Sequence, residues 1–123
     1  MPRRRIVHAA AALLAAAALL PARARAHAFL AHAEPRVGST VSTPPTAVTL
    51  TFTEPIEGNF SHVEVLDAQA KPVASGEIER VQPDQLRVTV PALAPGEYTV
   101  HWAVTSVDTH QTDGRFSFTV SGP

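Results

Sequence analysis

The sequence of 123 residues contains no cysteine, and its only methionine is Met1. The absence of cysteine excludes a disulfide framework and any thiolate ligand. Beyond Met1 no thioether is present either, so a metal site must be built from nitrogen and oxygen ligands. Soft ions such as Cu(I) prefer sulfur, and this composition therefore disfavours them.

Long hydrophobic runs are scarce, and the one that stands out lies near the amino terminus, at residues 9–20. It is shorter than the roughly 20 apolar residues that span a bilayer. Three arginines at positions 3–5 precede it, and the small residues Ala24 and Ala26 follow it. This order predicts a helical signal peptide at residues 1–26, cleaved after Ala26, and hence a periplasmic protein exported by the Sec or the twin-arginine route.

Positive charge is also scarce after the predicted cleavage point. The remaining residues, 27–123, number 123 − 26 = 97, which suits one domain. They keep five of the ten Lys and Arg residues and all eleven acidic residues, so their net charge is 5 − 11 = −6 with neutral histidines. An acidic domain disfavours nucleic acid and anionic membranes as partners but is compatible with cations. No second apolar run predicts a membrane span in this part.

What the sequence does have is alternation of apolar and polar residues, broken by prolines. The alternation is clear in the regions 46–53, 62–66, 86–90, 98–104 and 116–120, and weaker in 28–34 and 73–81. Period-two patterns between turn residues indicate half-buried antiparallel strands. The prediction is an all-β domain, an immunoglobulin-like Greek-key sandwich or barrel of about seven strands.

His27 would become the new amino terminus after cleavage. Its α-amine and its imidazole could then chelate one metal ion, whereas an internal histidine offers only the imidazole. Asp108 and His110 are the best candidates for further ligands, because their i, i+2 spacing in an extended backbone turns both side chains to one side. The alternative for Asp108 is a hydrogen bond within its own turn.

Glu54 is a fourth candidate, at a strand end before Pro55. It is either an exposed carboxylate or a group that hydrogen-bonds the terminal amine or ligates the metal weakly. We expect His62 and His101 to be surface residues, because each lies at a polar position of its strand. His32 is either a surface residue or an accessory to the site, and His8 would be lost with the signal.

Three nitrogens and one oxygen from His27, His110 and Asp108 suit tetragonal Cu(II), with Zn(II) as the main competitor. These residues lie within a longer ordered set of motifs: HAFL at 27–30, EPRVGS at 34–39, LTFTEP at 50–55, PGEYTVHW at 95–102, SVDTH at 106–110 and GRFSFTV at 114–120. As a set, these motifs resemble the CopC family of periplasmic copper-binding proteins.

The resemblance implies a Greek-key β domain that binds one Cu(II) through the positions of His27, Asp108 and His110, with Glu54 as a nearby carboxylate. Some family members have a methionine-rich loop for Cu(I), which this chain lacks. The family often acts beside a membrane copper-transport protein, which here would be a separate chain. Two other functions stay open: a copper monooxygenase that cleaves polysaccharides, and a metal-free structural sandwich.

Overall fold

The computed structural model describes residues 28–75 and 77–122, so the predicted signal peptide at 1–26 and the predicted ligand His27 lie outside the described residues. The described residues form nine strands and a 3₁₀ turn at Gly58–Phe60. In chain order the strands are β1 (Leu30–Glu34), β2 (Thr40–Val41), β3 (Ala47–Phe52), β4 (His62–Leu66), β5 (Pro72–Ser75), β6 (Glu79–Gln82), β7 (Gln85–Thr89), β8 (Gly96–Thr105) and β9 (Gln111–Val120). Across these ranges, no helix has the length and apolar character needed to cross a membrane.

The strands form two sheets. One has the order β1-β3-β7-β6 and the other the order β2-β9-β8-β4-β5. Neighbouring strands are antiparallel, except that β2 runs parallel to β9. The predicted all-β sandwich is therefore confirmed.

The number of strands exceeds the predicted seven for two reasons. The weak segment 73–81 divides into β5 and β6, which belong to different sheets. β2 has only two residues, too few for any alternation to appear in the sequence.

The core forms from the apolar positions of the alternating strands. Val48, Leu50 and Phe52 of β3 are buried on the inner face of one sheet, and Trp102 of β8 is buried on the other. The rings of Phe52 and Trp102 meet edge to face, with centroids 5.2 Å apart, and so join the two sheets. Burial of each such large side chain stabilises the fold by about 1.5–3 kcal/mol.

Among the described residues, the longest strand pairing is between β8 and β9, and it depends on a glycine. Gly114 lies directly opposite Trp102 in the register. A Cβ atom at this position would lie 2.6 Å from Cζ2 of Trp102, which is far inside contact distance. Gly114 therefore leaves the space that the indole needs within the core.

One end of the sandwich brings together segments that are distant in the sequence. The chain leaving β3 runs against the turn between β8 and β9, with a bridge between Ile56 and Ser106. Two further main-chain hydrogen bonds hold it there, from Glu57 N to Thr105 O at 2.7 Å and from Val107 N to Pro55 O at 3.2 Å. Of the candidate ligands, Glu54, Asp108 and His110 lie at this end of the fold.

Candidate metal centre

A tight turn between β8 and β9 places the two predicted ligands Asp108 and His110. Main-chain hydrogen bonds close it, from Ser106 N to His110 O at 2.8 Å and from Thr109 N to Ser106 O at 2.9 Å. Thr109 has a φ of 73°, in the left-handed region that residues with a Cβ seldom adopt. The pair is therefore brought together by a chain reversal, rather than by the extended backbone that the i, i+2 spacing suggested.

The side chains of Asp108 and His110 contact each other. Oδ2 of Asp108 lies 3.3 Å from Nδ1 of His110, and the side chains are 40% and 51% exposed, respectively. The other carboxylate oxygen, Oδ1, accepts a hydrogen bond from the hydroxyl of Ser106. The hydrogen bond within its own turn, which was the alternative for Asp108, is thus present, while the other carboxylate oxygen faces His110.

Electrostatics keeps the carboxylate of Asp108 charged. The hydrogen bond from Ser106 is the largest cause and lowers the pKa of Asp108 below its usual value; desolvation opposes this, and His110 lowers the pKa further. An ionised carboxylate beside an imidazole that is half exposed to solvent offers one oxygen and one nitrogen donor to an incoming cation. This donor set fits a Cu(II) or Zn(II) ion.

The residues that follow His27 are fixed at the same end of the sandwich. Ala28 is fully buried, and its carbonyl oxygen accepts a hydrogen bond of 2.5 Å from Oγ1 of Thr112. Phe29 N donates to Oγ1 of Thr53 at 2.9 Å, and Thr53 N donates to Phe29 O at 2.8 Å. Thr112 is two residues beyond His110, and Thr53 immediately precedes Glu54.

Glu54 follows the end of β3 and is partly exposed. Its chain segment lies against the β8–β9 turn through the bridge of Ile56 to Ser106. The structure therefore brings Glu54, Asp108 and His110 to one end of the domain. Of these three side chains, Asp108 and His110 are in contact.

Within residues 28–75 and 77–122, no group of three histidine or acidic side chains forms a ready metal site. The predicted set needs His27, which is outside this part of the chain. The complete ligand set thus stays a prediction, and the described residues provide two of its members in contact.

The remaining described histidines each lie near a carboxylate. Nε2 of His32 is 3.1 Å from Glu34, that of His62 is 3.8 Å from Glu64, and that of His101 is 3.8 Å from Asp113. The side chains of His32 and His62 are about half exposed, at 53% and 51%, as expected for surface positions. His101 is more covered, with 28% of its side chain exposed.

Sequence reasoning missed three hydroxyl residues, namely Ser106, Thr53 and Thr112. Ser106 had a detectable signal, because a serine in a turn often hydrogen-bonds backbone groups nearby, as Ser106 does with the backbone of His110. Thr53 and Thr112 had none. Their contacts with residues 29 and 28 join positions 24 and 84 apart in the sequence, and only the folded sheets bring them together.

A family model described as CopC domain matches residues 30–121, about three quarters of the chain. The chain belongs to the CopC family. This confirms the family that the motifs indicated.

The similarity of this CopC-family protein to individual known proteins supports the family assignment. Protein YobA of Escherichia coli K12 is 38% identical over 98 residues, covering 77% of this chain and 79% of YobA. Copper resistance protein C of Xanthomonas campestris pv. juglandis is 34% identical over 122 residues, covering 88% of this chain and 91% of the relative. The crystal structure of CopC from Methylosinus trichosporium OB3b has a TM-score of 0.74 and 34% identity, and the match covers 78% of this chain and 95% of that one.

Proposed function

We propose that this CopC-family protein binds one Cu(II) ion in the periplasm after a signal peptide is removed at Ala26. The ligands are the α-amine and imidazole of His27, the imidazole of His110 and the carboxylate of Asp108. The observation that supports this most directly is the anchoring of Ala28, the residue after His27, by Thr112, two residues from His110.

The distances make this ligand set reachable. One peptide link, about 3.8 Å between Cα atoms, separates His27 from the anchored Ala28. Thr112 is two residues beyond His110, which is at most roughly 7 Å along the chain. An imidazole at position 27 is then within reach of an ion held by the Asp108–His110 pair.

The chemistry of the donors favours Cu(II). Beyond Met1 the chain offers no sulfur ligand, and three nitrogens with one oxygen suit a tetragonal ion that also heads the divalent affinity series. In the uncleaved chain the nitrogen of His27 is an amide rather than the amine that the proposed ligand set requires, so signal removal completes the site. Glu54 then accepts a hydrogen bond from the new amine or binds weakly on the axis.

The biological role that we infer is sequestration of copper or its delivery to a separate membrane copper-transport protein. The names of the copper resistance relatives support a role in copper handling. A net charge of −6 on residues 27–123, from five basic and eleven acidic residues, suits a domain that attracts cations.

A polysaccharide-cleaving monooxygenase has less support. The only tryptophan and the only tyrosine of the chain, Trp102 and Tyr98, are both buried in the core. Neither is therefore available to stack on a sugar ring. As a ligand, Asp108 would also fill a coordination position that dioxygen needs. We propose a binding protein rather than an enzyme.

The decisive experiment is native mass spectrometry of the secreted protein with and without Cu(II). We expect a mass that begins at His27 and a gain of one copper. A matched sample whose terminal amine is selectively acetylated keeps every side chain but removes the terminal chelate, and it should lose tight binding. Equally tight 1:1 binding by that sample, or by His27→Ala, would contradict the proposed site.

A further inference from the structure

The amino-terminal segment at residues 28 and 29 is held by side-chain hydroxyls rather than by regular strand pairing alone. β1 begins only at Leu30, whose register partner is Phe52. Before that point the N–H of Phe29 donates to the hydroxyl of Thr53, and the carbonyl of Ala28 accepts from the hydroxyl of Thr112. Thr53 follows β3 of one sheet and Thr112 belongs to β9 of the other, so the segment is tied to both sheets.

We propose that Thr53 and Thr112 are positioning residues for the copper site. Their hydroxyls fix the backbone at residues 28 and 29, and thereby hold the terminal residue before them beside Asp108 and His110. The inference rests on the proposed function, because it concerns the ligand at position 27. It assigns to two threonines a role that their residue types alone do not indicate.

Burial explains why the hydroxyl of Thr112 matters. Ala28 has no exposed surface, and a carbonyl in a buried residue needs a hydrogen-bond partner, because leaving it unpaired is costly. The bond from Thr112 satisfies this oxygen. Without it, the residue would have to move toward solvent, and the terminus would move with it.

Preorganisation explains why the copper site needs the hydrogen bonds from Thr53 and Thr112. Chain termini are usually poorly ordered unless they are tied down. A mobile terminal ligand would have to be ordered when the metal binds, and that entropy would oppose binding. The two hydroxyls order the backbone in the metal-free protein, so that less entropy is lost when the ion arrives.

The test uses Thr112→Val and Thr53→Val, which keep the shape of the side chain and remove the hydroxyl. Thr112→Ser and Thr53→Ser restore the hydroxyl and serve as rescue variants. Thr99→Val is the matched control, because Thr99 lies near the opposite end of β8, paired with Leu66 and Ser117. All variants are made in the full chain and secreted, so that processing occurs as in the parent.

The first readout needs no metal. Amide hydrogen exchange at residues 28–30 should be faster in both valine variants than in the parent protein, Thr99→Val and the serine variants. In Thr112→Val the acceptor of the Phe29 amide, the hydroxyl of Thr53, is unchanged. Faster exchange at Phe29 in this variant would therefore come from movement of the backbone and not from loss of that acceptor. Unchanged exchange at these residues in both valine variants would contradict the proposal that the two hydroxyls order the backbone of residues 28 and 29.

The second readout is Cu(II) affinity, measured by competition with a chelator, together with the Cu(II) electron paramagnetic resonance spectrum. The valine variants should bind about three- to tenfold more weakly, as expected for the loss of one hydrogen bond, and the serine variants should recover. If the parent binds Cu(II) and the folded valine variants bind equally well with the same spectrum, the positioning role is refuted. If the parent itself binds no Cu(II), the proposed function fails and the positioning role falls with it.

Discussion

Nδ1 of His110 lies 3.3 Å from Oδ2 of Asp108. Both residues belong to a turn in which the hydroxyl of Ser106 donates a hydrogen bond to the other carboxylate oxygen of Asp108. Ser106 is almost completely buried, and its oxygen also accepts a hydrogen bond of 3.3 Å from the backbone N–H of His110. One small hydroxyl therefore fixes both the carboxylate and the backbone of the neighbouring imidazole. The two candidate ligands are oriented by the fold before any metal arrives.

Replacing Ser106 with alanine should raise the pKa of Asp108 toward its usual value, because the hydrogen bond from Ser106 is the largest cause of its lowering. The lowered pKa means that the folded state favours the charged carboxylate. Its contribution to stability is therefore present above the pKa of the unfolded chain, and is lost as the pH falls through the lower pKa of the folded state.

We expect Ser106→Ala to weaken this acid dependence and to cost about 1 kcal/mol at neutral pH, from the lost hydrogen bond to the backbone of His110. Nuclear magnetic resonance titration of the Asp108 carboxyl and urea unfolding at several pH values measure the two effects. Ser121→Ala, near the carboxyl end of β9, is the control. An Asp108 pKa that is unchanged in Ser106→Ala would contradict the role of the hydroxyl.

Replacing Gly114 with alanine should destabilise the domain by about 1–3 kcal/mol, because the new methyl group would overlap the indole of Trp102. Urea unfolding followed by the fluorescence of the single tryptophan measures this directly. Arg115→Ala, at the adjacent exposed position of β9, should change stability little. Equal midpoints for the two variants would show that the strands adjust without cost.

These residues also show what the sequence could predict about the fold. The alternation in β3, β8 and β9 identified the strands correctly, because period-two patterning is a local property of a half-buried strand. The division of the segment 73–81 between two sheets was missed. Which sheet a short strand joins depends on distant partners, here β4 for β5 and β7 for β6.

The same distinction, between local pattern and long-range packing, applies to the candidate site. Asp108 and His110 could be predicted because they lie two residues apart and share a turn. The support given to Ala28 by Thr112 could not, because it depends on how the two sheets pack. The geometry of the turn was also hidden, since nothing in the sequence indicates that Thr109 takes a left-handed conformation.

Replacing Asp108 with asparagine should weaken Cu(II) binding by at least about tenfold. Changes to groups that merely support metal ligands already have effects of about 10- to 100-fold, and a ligand should matter at least as much. Asparagine keeps the shape and can still accept from Ser106, so the turn should survive and the loss should reflect charge. Chelator competition measures the affinity.

Asp113→Asn is the matched control, because it removes one negative charge from an exposed position near His101. A general effect of net charge would weaken both variants alike. That outcome would argue against direct ligation by Asp108.

Acid should release the copper, since the proposed amine and both imidazoles must lose their protons to bind. Histidine has an ordinary pKa of about 6.5 and a terminal amine one of about 7.7–8.0, so protons compete with the metal increasingly as the pH falls below about 7. Because more than one proton is displaced, the apparent affinity should fall more than about tenfold per pH unit below about pH 6. The lowered pKa of Asp108 keeps that carboxylate charged throughout this range, so it does not contribute to the loss. Chelator competition between pH 5 and pH 8 gives the slope, and the protein with an acetylated terminal amine, which lacks the terminal chelate, should show a shallower one. A flat profile for the parent protein between about pH 5 and pH 7 would exclude nitrogen ligands from the site.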